Sequence, residues 1–202
     1  MKALGKEWHT TRHAAYATCD MPLAELPNLD CKLRPLLRSK LLARAAEATG
    51  FNLYDLYFKD LFFVKYACEA QGGGQRELAL HRDGSVLSMN VLLNSASEFE
   101  GGGTFFDHTK RTVSLEQGQA VVHCGRILHA GRRITAGRRI LLVGFIETVK
   151  TAVPSHLRAL FGVSLDNEVA RLEIEATLQR EGRREGDAEQ DMLHFLKLAC
   201  DG

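Results

Sequence analysis

The chain contains no apolar run near the roughly 18 residues that a membrane-spanning helix needs. Its start, MKALGKEWHTTRH, lacks the hydrophobic stretch of a secretory leader, and its end, LACDG, is no retention signal. These absences predict a cytoplasmic or nuclear protein with no membrane partner; a secretory-pathway origin stays open if the chain is a fragment. There is no surplus of charge: Lys+Arg 26 against Asp+Glu 25 leaves a formal net charge of +1. Nothing in that balance demands nucleic acid or an anionic surface as partner. The five cysteines are odd in number, widely scattered and never spaced as CxxC, which points to reduced thiols rather than a disulfide framework. With 45% hydrophobic and 25% charged residues, the chain is neither disordered, nor collagen-like, nor a disulfide miniprotein. At 202 residues, one domain with helical extensions is expected.

What is present divides into three stretches. Residues 1–60 read as a helical lead-in packed on the core. Pro35 reads as a first-turn residue, Leu36, Leu37, Leu41, Leu42 and Ala45 fall at helical spacing, and Gly50 is a natural stop. Residues 61–149 change texture. LFFVKYAC, ELALHRD, SVLSMNVLLN, GTFFD, QAVVHC and RRILLVGFIETV are short, apolar and separated by turn signals such as QGGGQ, EGGG and HAGRRITAGR. Short strands broken by glycine-rich turns, with no helices between them, predict a β-sandwich or barrel. Residues 150–202 turn helical again, with Leu165, Val169, Leu172 and Ala176 on one face. The charge run REGRREGDAEQD reads as a solvated link.

Within the β-rich stretch, His81 and Asp83 stand two apart, so on a strand both project from one face. That spacing alone is weak, because a surface histidine near an aspartate is common. His129 adds a second imidazole. Two neutral histidines and one carboxylate on one face of a metal leave three positions open, the arrangement of non-haem Fe(II) oxygenases. Zinc would favour a closed set rich in Cys or His, and magnesium or calcium more carboxylates. Arg139 opens the last apolar strand, ten residues after His129. A guanidinium buried in a β-barrel needs an anion, and a dicarboxylate co-substrate supplies one. Arg138 alternates to the other face and is expected in solvent. Tyr66 reads equally as a core tyrosine or as a second donor to the co-substrate.

The segments LALHRDGSVLSMNVLLN, EFEGGGTFFD and VVHCGRILHAGRRITAGRRILLVGF occur in the order found in the Fe(II)- and 2-oxoglutarate-dependent dioxygenases. The run from Tyr66 to Ile146 resembles the prolyl 4-hydroxylase and lysyl hydroxylase type of catalytic domain. WHTTRHAAYATCDMPL is similar to the lead-in of some of these proteins. The resemblance implies a mainly β fold with flanking α-helices, its core a double-stranded β-helix or jelly roll. It implies His81, Asp83 and His129 as iron ligands, and Arg139 with Tyr66 as the 2-oxoglutarate site. Asn90, in the motif SxNxxLN, and the glycines of EGGGT would be structural.

The implied reaction is hydroxylation of a C–H bond, with O2 and 2-oxoglutarate consumed and succinate and CO2 released. A peptidyl proline, or next a lysine, in a protein or peptide is the expected substrate, with ascorbate as reductant. Asp83 argues against a halogenase, which needs that coordination position vacant. Leu80 stands where many collagen-type enzymes have proline, and no separate peptide-binding domain is visible, which disfavours a collagen substrate. Two other readings remain. Arg126, Arg132, Arg133 and Arg138 make a basic cluster that suits a nucleic-acid-directed oxidative demethylase, although no aromatic-rich groove accompanies them. The other is a non-catalytic metal-binding interaction module.

Overall fold

The computed structural model describes residues 8–12, 16–68 and 74–148. The helical stretch expected beyond residue 149 lies outside the described residues. The described chain carries β1 (Asp20–Pro22), α1 (Pro27–Leu37), α2 (Ala43–Thr49), β2 (Leu56–Ala67), β3 (Leu78–His81) and β4 (Leu87–Leu92). There follow β5 (Phe99–Gly101), β6 (Thr104–Phe106), β7 (Arg111–Val113), β8 (Ala120–Cys124), β9 (His129–Gly131) and β10 (Ile134–Thr148). No helix among the described residues is long and apolar enough to cross a membrane.

The strands form two antiparallel sheets. The larger runs β1-β2-β10-β4-β8, with β5 added beside the start of β10; the smaller runs β3-β9-β6-β7. This is a double-stranded β-helix, a jelly roll with a helix at its flank. β10 is the spine of the larger sheet. Its apolar residues pair with β2 on one side (Leu141↔Val64, Val143↔Phe62) and β4 on the other (Val143↔Asn90). Met21, Leu23, Leu56, Leu87, Met89, Phe106 and Ile134 fill the core at full burial, and that apolar burial drives the two sheets together.

Three local features differ from the sequence-based expectation. The helix starts earlier, with Pro27 in its first turn, and Pro35 lies inside it. Proline has no N–H to give the preceding turn. The ladder reorganises just beyond it into a π-helical turn at Arg38–Leu42, which still buries Leu41 and Leu42. Gly50, at φ 74°, ends α2 in the left-handed conformation that glycine adopts without strain. Next, β2 begins at Leu56 rather than near residue 61, since its exposed alternate residues Tyr57 and Lys59 hide the strand from an apolar-run reading. Finally, HAGRRITAGR is not one turn. It holds β9, a crossing from the smaller sheet to the larger at Arg132 and Arg133, and the first five residues of β10.

Candidate active site

That crossing positions the site. His129 lies on β9 in the smaller sheet and Arg139 on β10 in the larger, so the two sheets present them to a common interior. A cavity of about 350 Å³ opens between the sheets. His81, Asp83, His129, Tyr66 and Arg139 all line it.

His81 and His129 are directly opposed in the β3–β9 ladder, and their ring centroids lie 4.3 Å apart. Directly opposed residues share a sheet face, which is why the two imidazoles converge. Asp83 reaches them differently from the strand alternation expected. β3 ends at His81, and Asp83 sits in the following loop, its backbone N–H bonded to the Gly125 carbonyl at 2.7 Å. Its carboxylate lies 3.4 Å from His81 Nε2 and 3.5 Å from His129 Nε2. One donor atom from each of the three residues falls within 4.8 Å of the others.

The hydrogen bonds set the tautomers. Nδ1 of His81 meets the Ala79 carbonyl at 2.7 Å, and Nδ1 of His129 meets the Ile127 carbonyl at 2.8 Å. A carbonyl only accepts, so each Nδ1 donates and each Nε2 keeps its lone pair toward Asp83. The Ser88 hydroxyl donates to Asp83 Oδ2. Burial disfavours the charge on Asp83, but the adjacent imidazoles of His81, His129 and His123 and the Ser88 hydroxyl together overcome this and hold it down at about 2. Burial and the neighbouring His123 push His129 down to about 3, whereas at His81 burial is outweighed by the adjacent Asp83 carboxylate and the Ala79 carbonyl acting together, which raise it. At neutral pH the set therefore offers a carboxylate and a neutral imidazole at His129. Two donors each about 2.1 Å from one ion at right angles lie about 3.0 Å apart. The two carboxylate–imidazole separations need only a small contraction, and all three donors lie within 4.8 Å of one another, so the residues fit a divalent metal.

The opposite wall is built by the β2–β10 ladder, in which Tyr66 and Arg139 are directly opposed. Arg139 is 2% exposed, its guanidinium carbon 5.5 Å from the Tyr66 ring centroid. No carboxylate among the described residues lies within ion-pairing distance of it. Burial pushes its pKa down, partly opposed by Tyr66, and burial pushes the Tyr66 phenol up. Guanidinium nonetheless stays charged. Arg138 is exposed, as its alternation predicts. Val64, Leu141, Val143 and Phe62 supply apolar lining between the two ends.

Four residues near the site lie within the quoted motifs without being singled out there as site residues. Tyr16 and Arg12 reach the cavity from the lead-in, Tyr16 with its ring 5.0 Å from that of His81. Arg12 is held by Asp20 at 2.9 Å and Asp60 at 2.7 Å. Ser88 and His123 are a directly opposed pair of β4 and β8, and His123 is fully buried with its ring 4.4 Å from that of His129. The basic cluster is dispersed in its contacts. Arg132 stacks on Phe105 at 4.0 Å and Arg133 pairs with Glu77 at 3.3 Å, while Arg126 and Arg138 are exposed.

No protein-family model and no curated protein matches the sequence. Solved structures do resemble the fold. The non-heme alpha-ketoglutarate-dependent epimerase SnoN from nogalamycin biosynthesis is similar at TM-score 0.56 and 17% identity, over 73% of this chain and 68% of that one. A prolyl 4-hydroxylase structure from Phytophthora capsici gives 0.45 at 14% identity, covering 87% and 76%. An oxidoreductase of the 2OG-Fe(II) oxygenase family from Burkholderia pseudomallei gives 0.39 at 18% identity over 46% of this chain, which spans 45% of that one. The likeness to SnoN shows a shared fold.

Proposed function

We propose that the chain is an Fe(II)- and 2-oxoglutarate-dependent dioxygenase. The observation that carries this reading is Arg139: a buried guanidinium with no anionic partner among the described residues, lining the same cavity as a buried His-Asp-His set. An uncompensated buried charge is costly, so the site is built for an anion that arrives from outside. The far carboxylate of 2-oxoglutarate is that anion, and its keto-acid end then lies toward the metal ligands. His81, Asp83 and His129 would hold Fe(II), which when bound supplies the oxygen chemistry that converts 2-oxoglutarate to succinate and CO2 and oxidises a C–H bond.

The protein's own part is to bind, orient and keep water out. Arg139 forks onto the far carboxylate and Tyr66 donates a second hydrogen bond. Val64, Leu141 and Val143 give the co-substrate's methylenes an apolar wall. The carbonyls of Ala79 and Ile127 keep both imidazoles in the ligating tautomer, and Ser88 fixes one oxygen of Asp83. The motif resemblance favours a peptidyl proline, or a lysine, as substrate and ascorbate as reductant.

The test is oxygen consumption and succinate formation with Fe(II) and 2-oxoglutarate, with and without proline- and lysine-containing peptides, followed by mass spectrometry for a gain of one oxygen. Turnover stimulated by peptide supports the reading. Stimulation by single-stranded nucleic acid instead would move the protein to the demethylase class, and absence of any turnover would make it a binding module.

A further inference from the structure

Gly131 closes β9 and lies against Tyr66. A Cβ on Gly131 would stand 2.7 Å from the Tyr66 hydroxyl oxygen, 3.2 Å from Cζ and 3.3 Å from the Leu78 Cβ. Its backbone is not in the left-handed region, so the chain conformation does not require glycine there. What requires it is space. We infer that Gly131 is a positioning residue: the missing side chain lets the Tyr66 hydroxyl stand in the cavity beside Arg139, where an anionic co-substrate meets both.

Three observations converge on this. Tyr66 is 4% exposed and cannot swing away freely, since β2 fixes its backbone opposite Arg139. Its hydroxyl makes no hydrogen bond to any described residue, so it is a donor kept for something that enters the cavity. And Gly131 belongs to the smaller sheet, two residues after His129, whereas Tyr66 belongs to the larger. The contact thus ties the spacing of the sheets, at the anion end, to the strand that carries a metal ligand. A methyl group at Gly131 must push the phenol, the strand or both by several tenths of an ångström, since well-packed interiors have no slack to absorb it. The hydroxyl is the nearest atom, so the phenol takes the largest share.

The inference rests on the proposed 2-oxoglutarate site, and the experiment separates the two. The probe is 2-oxoglutarate titrated calorimetrically into Mn(II)-loaded protein without oxygen, so that binding is read apart from turnover. Four proteins are compared: wild type, Gly131→Ala, Tyr66→Phe and the double variant. Metal affinity and melting temperature are recorded for each. Gly131→Ala should weaken 2-oxoglutarate binding about three- to tenfold while metal affinity stays within twofold. Removing the hydroxyl relaxes the closest contact, so in the Tyr66→Phe background the same substitution should cost less than twofold. Equal losses in both backgrounds, or no loss in either, would overturn the positioning role. A wild-type protein that binds metal but no 2-oxoglutarate would instead sink the function on which the inference rests.

Discussion

The two ends of the cavity are opposites. At the metal end every donor is supported from within: two imidazoles by backbone carbonyls, the carboxylate by Ser88, its own N–H by Gly125. At the anion end, Arg139 and Tyr66 are buried residues that line the cavity, and neither the guanidinium nor the phenol hydroxyl has a hydrogen-bond partner among the described residues. One end is preorganised by the smaller sheet and the loop beyond β3, which is braced by Ser88 of β4 and by Gly125 after β8. The other is left incomplete by the larger sheet. The difference teaches that burial alone does not mark a function. The mark is a charged group whose partner the fold withholds.

The largest effect should come from breaking the supported end. His81→Ala, Asp83→Ala and His129→Ala should each abolish succinate formation. Their melting temperatures should change little, because the three side chains face the cavity rather than the apolar core; thermal unfolding beside an activity assay checks both. Full turnover in Asp83→Ala would remove the triad from the account. Next comes the incomplete end. A hydrogen bond to a charged group is worth about 1.5–3 kcal/mol, so Arg139→Ala should raise the 2-oxoglutarate requirement at least about tenfold. Arg139→Lys should fall between the two, since ammonium supplies charge without the bidentate fork.

Support for the ligands should matter less than the ligands. Ser88→Ala removes one hydrogen bond from Asp83 and should lower metal affinity about tenfold, at the low end of what such supporting bonds contribute. Metal titration by calorimetry reads this directly. Smallest of all is Arg138→Ala. Its side chain is exposed on the far face of β10, and its effect on 2-oxoglutarate affinity should stay within about twofold.

Much of this contrast was legible in the sequence, for identifiable reasons. Strand periodicity separates Arg139 from Arg138, because alternation is a local rule that β10 obeys. The β-rich core showed because its strands are apolar and its turns rich in glycine. Gly101, Gly102 and Gly103 all take positive φ, which explains EGGGT as backbone geometry. What stayed hidden was tertiary. Convergence of His81 with Asp83 depends on a loop pinned to Gly125, not on alternation. The meeting of His129 with Arg139 depends on the chain changing sheets at Arg132 and Arg133. Tyr16 and Arg12 come from a lead-in far away in sequence, and Ser88 is selected by its pairing with His123. Pro35 misled through a sound local rule, since a proline is favoured in a first turn but is also tolerated where a π-helical turn rearranges the ladder.

The central claim is that Arg139 awaits the far carboxylate of a co-substrate. The direct measurement is a cycle of four affinities, taken anaerobically with Mn(II) in the metal site. Wild type and Arg139→Ala are each titrated with 2-oxoglutarate and with 2-oxopentanoate, which has the same carbon chain without the far carboxylate. If the two groups meet, wild type should prefer 2-oxoglutarate by at least about tenfold, and Arg139→Ala should bind both ligands with nearly equal affinity. A preference that survives undiminished in Arg139→Ala would show that another group reads that carboxylate, and would contradict the account.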